Sequence, residues 1–118
     1  MEVKFRAKSL ESGNWVYGLF HRIDSKPAIQ KTNGHSELVR EETLTQFTGF
    51  YDKIGREVYV GDILTLSKNK EFFGEVVFNY HCFEVCVRFG RGEVNYPLIT
   101  FREESVVDDI FPTSEKGC

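Results

Sequence analysis

Apolar and polar residues alternate with a period of two along most of this chain, and no stretch carries the period of a long amphipathic helix. That pattern confines the chain to an all-β fold. In CFEVCVRF, residues 82–89, Phe83, Val85, Val87 and Phe89 share one face of an extended chain, and Cys82, Glu84, Cys86 and Arg88 share the other. In EVKFRAK, Val3, Phe5 and Ala7 alternate with Glu2, Lys4, Arg6 and Lys8, which predicts an amphipathic strand with a solvated outer face. FGEVVFNY places Val76, Phe78 and Tyr80 together. Eleven Phe, five Tyr and one Trp suit pleated, half-buried surfaces. A chain of 118 residues suits one domain, or one with a small appendage, whose core needs no disulfide or metal.

Turn chemistry divides the strands. LESGN joins the first strand to WVYGLF, in which Trp15, Tyr17 and Leu19 share a side, and the pair reads as a hairpin. Gly18 inside the second strand marks a bulge or a close backbone approach. Asn33-Gly34 is the strongest short hairpin signal and predicts strands at 28–31 and 36–40, with Pro27 at a strand start or edge. REETLTQFTGF is expected to begin with one short helical turn, capped by Thr43 or Thr45 and stopped quickly by Thr48 and Gly49. Asp52 and Gly55 hold the first and fourth positions of a type I turn, REVYV is a strand, Gly61-Asp62 is a break, and ILTLS is a strand. KNKE reads as a loop, GRGE as a turn, VNYPLITF as an edge or bulged strand because of Pro97, and SVVDDIF as a last strand or helical turn. Val58, Val60, Leu64 and Leu66 share even numbering with Asp62. An unpartnered carboxylate on that core face would be costly, so the chain is expected to bend there and let Asp62 cap a turn or reach backbone amides.

The net charge is −3, but residues 1–40 hold seven bases and four acids while residues 41–118 hold eight and fourteen. That balance argues against a dominant nucleic-acid footprint and leaves room for a small basic patch near the N-terminus. The charged start has no apolar core of a secretory leader, and no run approaches the ~20 apolar residues that span a bilayer. The expectation is a cytoplasmic protein with no membrane partner. Three cysteines, an odd count in a reducing compartment, read as free thiols.

No motif for chemistry survives a geometric test. His81, Cys82 and Cys86 are close in sequence, but strand residues four apart are separated by about 13 Å, too far for one zinc ion or a disulfide between the two cysteines. His81 and Cys82 point to opposite faces if they lie on a strand, which weakens a nucleophile–base pair. His21 and His35 lie in turn-rich segments. The doublets Glu41-Glu42, Glu103-Glu104 and Asp108-Asp109 diverge along extended chain and read as solvated surface. Gly90-Arg91-Gly92 has no following helix and is turn chemistry, not a phosphate loop. Catalytic residues, metal ligands, cofactors and a small-molecule substrate are therefore not expected. For nucleic acid, Trp15, Tyr17, Phe72, Phe73 and Tyr96 are candidate stacking platforms beside Lys68, Lys70, Arg88, Arg91 and Arg102, although most of these aromatics are needed for packing.

The segment TLTQFTGFYDKIGREVYVGDIL, with KFRAK before it and WVYG between, resembles the YopX family of phage and prophage proteins. The matching positions are Lys4, Phe5, Arg6 and Ala7; then Thr43, Gln46, Thr48, Gly49, Asp52, Lys53, Gly55, Glu57, Tyr59, Gly61, Asp62 and Ile63; then Gly74, Val76, Phe83 and Val85. Lys8 stands where the family often has Trp, and Asp108-Asp109 where it often has Gly-Asn. The resemblance implies an SH3-like small barrel (a β roll) over 46–112, an N-terminal antiparallel β region over 1–45 packed on it, and a frayed tail over 113–118. It brings no catalytic residues. The expected role is a non-enzymatic binding or assembly module in the bacterial host cytoplasm, with a protein partner that includes a second copy of itself. The alternative is a nucleic-acid-binding barrel in phage regulation or DNA metabolism. Asp52, Gly55, Gly61 and Asp62 are assigned to turns, and Trp15, Tyr17, Phe72, Phe73, Arg88 and Arg91 to a binding surface.

Overall fold

A computed structural model of the chain describes residues 4–79, 82–89 and 91–107. They form an all-β protein with two antiparallel sheets, neither of which closes on itself among the described residues. The chain divides into two compact units, residues 1–47 and 48–118.

The first unit contains β1 (Phe5–Lys8), β2 (Trp15–Ile23), β3 (Lys26–Gln30), β4 (Ser36–Leu38), a 3-10 turn (Glu41–Thr43) and the start of β5 (Thr45–Tyr51). The strands lie in the order β4-β3-β2-β1-β5. Lys8 faces Trp15 and Arg6 faces Tyr17 across the first hairpin, while Leu19 faces Gln30 and Ile23 faces Lys26 across the second. Cross-strand neighbours share a face, so this register fixes which side chains meet. One face buries Ala7, Val16, Ile29 and Val39, with Phe5, Phe20 and Leu44 packed against them. Gly18 is required where it stands, because a Cβ there would lie 2.0 Å from the backbone oxygen of Gln30.

Two features of this unit differ from the sequence reading. The second strand continues to Ile23 and turns through Asp24 and Ser25, whose φ angles are +49° and +69°. Asp tolerates that region through local hydrogen bonds, but Asp-Ser lacks the glycine that makes such turns recognisable. Nor is the outer face of β1 evenly solvated. Arg6 is buried, because its guanidinium lies 4.2 Å from the Trp15 ring centroid and its Nε donates to Thr45 Oγ1.

In the second unit β5 finishes and β6 (Glu57–Tyr59) pairs with it. A five-stranded sheet follows, made by β7 (Ile63–Leu66), β8 (Asn69–Asn79), β9 (Cys82–Phe89), β10 (Gly92–Pro97) and β11 (Ser105–Val107) in the order β10-β9-β8-β7-β11. Its core is Val58, Leu64, Val76, Val85, Val87, Leu98 and Phe101.

Several sequence expectations are corrected here. The short helical turn expected at the start of REETLTQFTGF is the 3-10 turn Glu41–Thr43, but no side chain caps it, and strand β5 follows, with Gly49 at φ +85° inside the strand rather than ending an element. KNKE is not a loop, since β8 begins at Asn69 and accommodates the tight connection with a register shift opposite Thr65 and Leu66. VNYPLITF is not one strand: β10 ends at Pro97, and Leu98–Phe101 form the short helix α1. A helical turn places Leu98 and Phe101, three apart, on one buried side, which a strand cannot do. Phe78 does not share the buried fate of Val76; it is exposed and pairs with Phe83, ring centroids 5.0 Å apart. Cys86, placed on the polar face, is buried. The tail over 113–118, Tyr80, His81, Asp108, Asp109 and Cys118 lie outside the described residues.

Candidate functional site

Asp52 and Asp62 of the central segment accept hydrogen bonds from backbone amides. Asp52 Oδ1 accepts from the Ile54 amide at 3.0 Å and the Arg56 amide at 2.8 Å. Its Oδ2 accepts from Arg56 Nε at 3.2 Å and from the Val107 amide at 2.9 Å. The Gly55 amide closes the turn on the Asp52 carbonyl at 3.0 Å, and Gly55 takes φ +90°. Arg56 also donates to the Val107 carbonyl, so this turn fastens β11. Asp62 is buried, and its Oδ2 accepts from the Tyr59 amide at 2.8 Å. Its own amide donates to the Tyr59 carbonyl at 3.0 Å, and Gly61 beside it has φ +93°. A carboxylate whose oxygens accept from backbone amides holds the shape of a turn, because those lone pairs are already engaged.

Phe72 packs into the second unit's core, with its ring 6.0 Å from both Phe101 and Tyr96. Phe73 is half-buried opposite Thr65. Arg88 is exposed opposite Glu93, and Arg91 and Lys68 are exposed. Arg102 is half-buried, with its guanidinium 5.9 Å from the Phe50 ring centroid. The side chain of Lys70 is not among the described features. The described residues of this set form no single aromatic and basic platform.

Trp15 and Tyr17 are arranged differently. The register of the first sheet puts Arg6 and Lys8 of β1, Trp15, Tyr17, Leu19, His21 and Ile23 of β2, Lys26, Ala28 and Gln30 of β3, Ser36 and Leu38 of β4, and Thr45 of β5 on the face opposite the core. Among the paired residues of β1 to β4, that face carries no Asp or Glu. Tyr17, Leu19 and Ile23 are 41%, 53% and 40% exposed, which makes an apolar stripe along one strand instead of isolated exposed residues. Lys8 Nζ stands 5.1 Å from the Trp15 ring centroid, and His21 Nε2 is 2.8 Å from Ser36 Oγ. Cation–aromatic contacts of this kind hold the basic groups against the stripe.

Two recesses lie along the stripe. The larger, about 420 Å³, is lined by Ser12, Asn14, Trp15, Val16, Tyr17, Lys31, Thr32, Asn33 and Glu37. The other, about 340 Å³, is lined by Lys4, Gly18, Leu19, Gln30, Lys31, Thr32 and Gly34. Glu37 is paired with Lys31 at 3.2 Å. Hydrogen bonds from Ser9 and from Lys31 hold its carboxyl below the usual value of 4.5. The sequence had marked Trp15 and Tyr17 and set Leu19 on their side, but it did not bring Arg6, Lys8, Ile23 and Lys26 beside them. Pairing the two strands across LESGN, with Lys8 set opposite Trp15, is the step that would have found them.

Cys82 is a free, exposed thiol. Cys86 is disulfide-bonded, which corrects the free-thiol reading for that residue; the strand-spacing argument covered only a bridge to Cys82. Among the described residues no group of three His, Cys, Asp or Glu is placed to hold a metal ion, and no helix is long and apolar enough to cross a membrane. A family model described as YopX protein matches residues 4–115. No curated protein matches the chain.

Proposed function

Since the chain belongs to the YopX family, we propose that it is a non-enzymatic binding module of phage or prophage origin, acting through the outer face of its first sheet. The observation that carries this reading is the row of exposed Tyr17, Leu19 and Ile23, bordered by bases and without a carboxylate among the paired residues of β1 to β4 on that face. Large apolar side chains exposed together on one strand face, here with His21 between Leu19 and Ile23, favour an interaction site over scattered exposure. The commitment of Asp52 and Asp62 to backbone amides supports the non-enzymatic part. The SH3-type likeness of residues 46–112 belongs to the same proposal. It is supported by a meander β7-β8-β9-β10, a helical turn, and a last strand that returns to pair with β7.

A photo-crosslinking side chain placed at Leu19 tests the binding surface whatever the partner's class. Irradiation in phage-carrying cells is expected to trap a macromolecule there. A chain that stays uncrosslinked at Leu19, while a control position on the same protein behaves identically, overturns the reading. Assembly with a second copy is favoured by β10, an exposed sheet edge that ends the strand order and carries Val94 at 45% exposure. Light scattering that returns the 13.7 kDa monomer mass across micromolar concentrations excludes it.

A further inference from the structure

We infer that the outer face of the first sheet binds single-stranded nucleic acid; the inference rests on that face being the working surface. Stacking on exposed rings and neutralisation of phosphates are the two contributions such binding needs. Tyr17 supplies an exposed ring, and Trp15 borders the larger recess beside it. Lys4, Lys8 and Lys26 supply charge, and no carboxylate among the paired residues of β1 to β4 on that face opposes them. Alternate residues of β1 stand about 7 Å apart, so its bases track along an extended polyanion rather than converging on one point.

The two recesses, about 420 and 340 Å³, lie at the small end of the roughly 300–1,000 Å³ that encloses a small ligand. They adjoin through Lys31 and Thr32, which line both. Asn14 and Asn33 at the first and Gln30 at the second present amide groups. Such groups donate to and accept from the edges of an unpaired base. Glu37, the carboxylate at the first recess, is neutralised by Lys31. A duplex is disfavoured, because the face is a sheet surface and offers no helix or protruding ribbon to enter a major groove. An acidic protein would find the bases but would not use the amide groups that line the two recesses.

Trp15 is the only tryptophan of the chain, so its fluorescence reports on this site alone. The probe is an oligothymidylate of ~12 nucleotides, within the ~4–16 that a small β fold covers. Binding is expected to quench Trp15 and raise the anisotropy of the labelled strand. Three phosphate contacts give a slope of log affinity against log salt of about −2. Lys8→Ala should make that slope shallower by about 0.7. Tyr17→Ala, with its far-ultraviolet dichroism unchanged, should weaken binding by about tenfold. A duplex of equal length should bind more weakly than the single strand. The inference is overturned by no signal at low salt, by equal affinity for duplex, or by an unaltered affinity in folded Tyr17→Ala.

The Leu19 crosslink separates this outcome from failure of the broader reading. A nuclease-sensitive adduct supports both. A protein adduct that nuclease leaves intact, including one with the mass of a second copy, overturns the nucleic-acid inference and leaves the binding module standing. The absence of any adduct overturns both.

Discussion

Gly18 shows how a single position constrains the first sheet. The Gln30 carbonyl occupies the space of a Cβ, and a backbone atom cannot swing aside as a flexible side chain does. Gly18→Ala is expected to cost about 3 kcal/mol in urea denaturation, from overpacking and backbone strain together. A loss under ~1 kcal/mol would show that β2 and β3 separate easily. Glu37 gives the first unit a pH response. Its carboxyl is held below 4.5 in the folded state by Ser9 and Lys31, so its contribution is fully present above 4.5 and is lost as pH falls through the lowered value. Wild type should therefore exceed Glu37→Gln in denaturation midpoint at neutral pH, and the gap should close below pH 4.5. A gap that persists or widens in acid would contradict the assignment.

Among elements, those with local signatures were legible in the sequence. Asn33-Gly34 announced the β3–β4 hairpin, and the alternation in 82–89 announced β9. Elements decided by packing were not. Residues 98–101 are apolar in three positions of four, which fits a strand or a helix equally well. The helix wins because Leu98 and Phe101 then reach the same core. Leu98→Ala should accordingly cost about 3 kcal/mol, while Ile99→Ala, at a position 55% exposed, should change stability by no more than ~0.5 kcal/mol. Comparable losses at both positions would argue against the helical turn. The candidate face was half legible for a related reason. Exposed rings can be listed from sequence, but their neighbours across the sheet follow only from register, and register depends on turns such as Asp24-Ser25 that carry no glycine.

At the scale of the molecule, the boundary between the two units falls inside β5 rather than in a linker. The Phe47 amide donates to the Lys4 carbonyl at 2.8 Å, and Thr48 Oγ1 donates to the Val58 carbonyl at 2.8 Å. Domain boundaries usually fall in exposed chain that proteases reach, and this one does not. Chymotrypsin under native conditions should leave the Phe47–Thr48 bond uncut, and an early fragment ending at Phe47 would contradict the strand.

The Asn33-Gly34 turn bears on how long the molecule stays chemically intact. An asparagine followed by glycine ages when the glycine amide attacks the side-chain carbonyl, expels ammonia, and the resulting imide takes up water to give an acid. Here the Gly34 amide is engaged with the Lys31 carbonyl at 2.9 Å, and the Asn33 side-chain oxygen accepts from the His35 amide at 2.9 Å. Both reacting groups are held by the hairpin, so folding protects a bond that sequence alone marks as perishable. Peptide mapping of stored samples should find this site intact while the hairpin holds. A batch in which it has opened would carry an extra negative charge at the rim of the Trp15 recess.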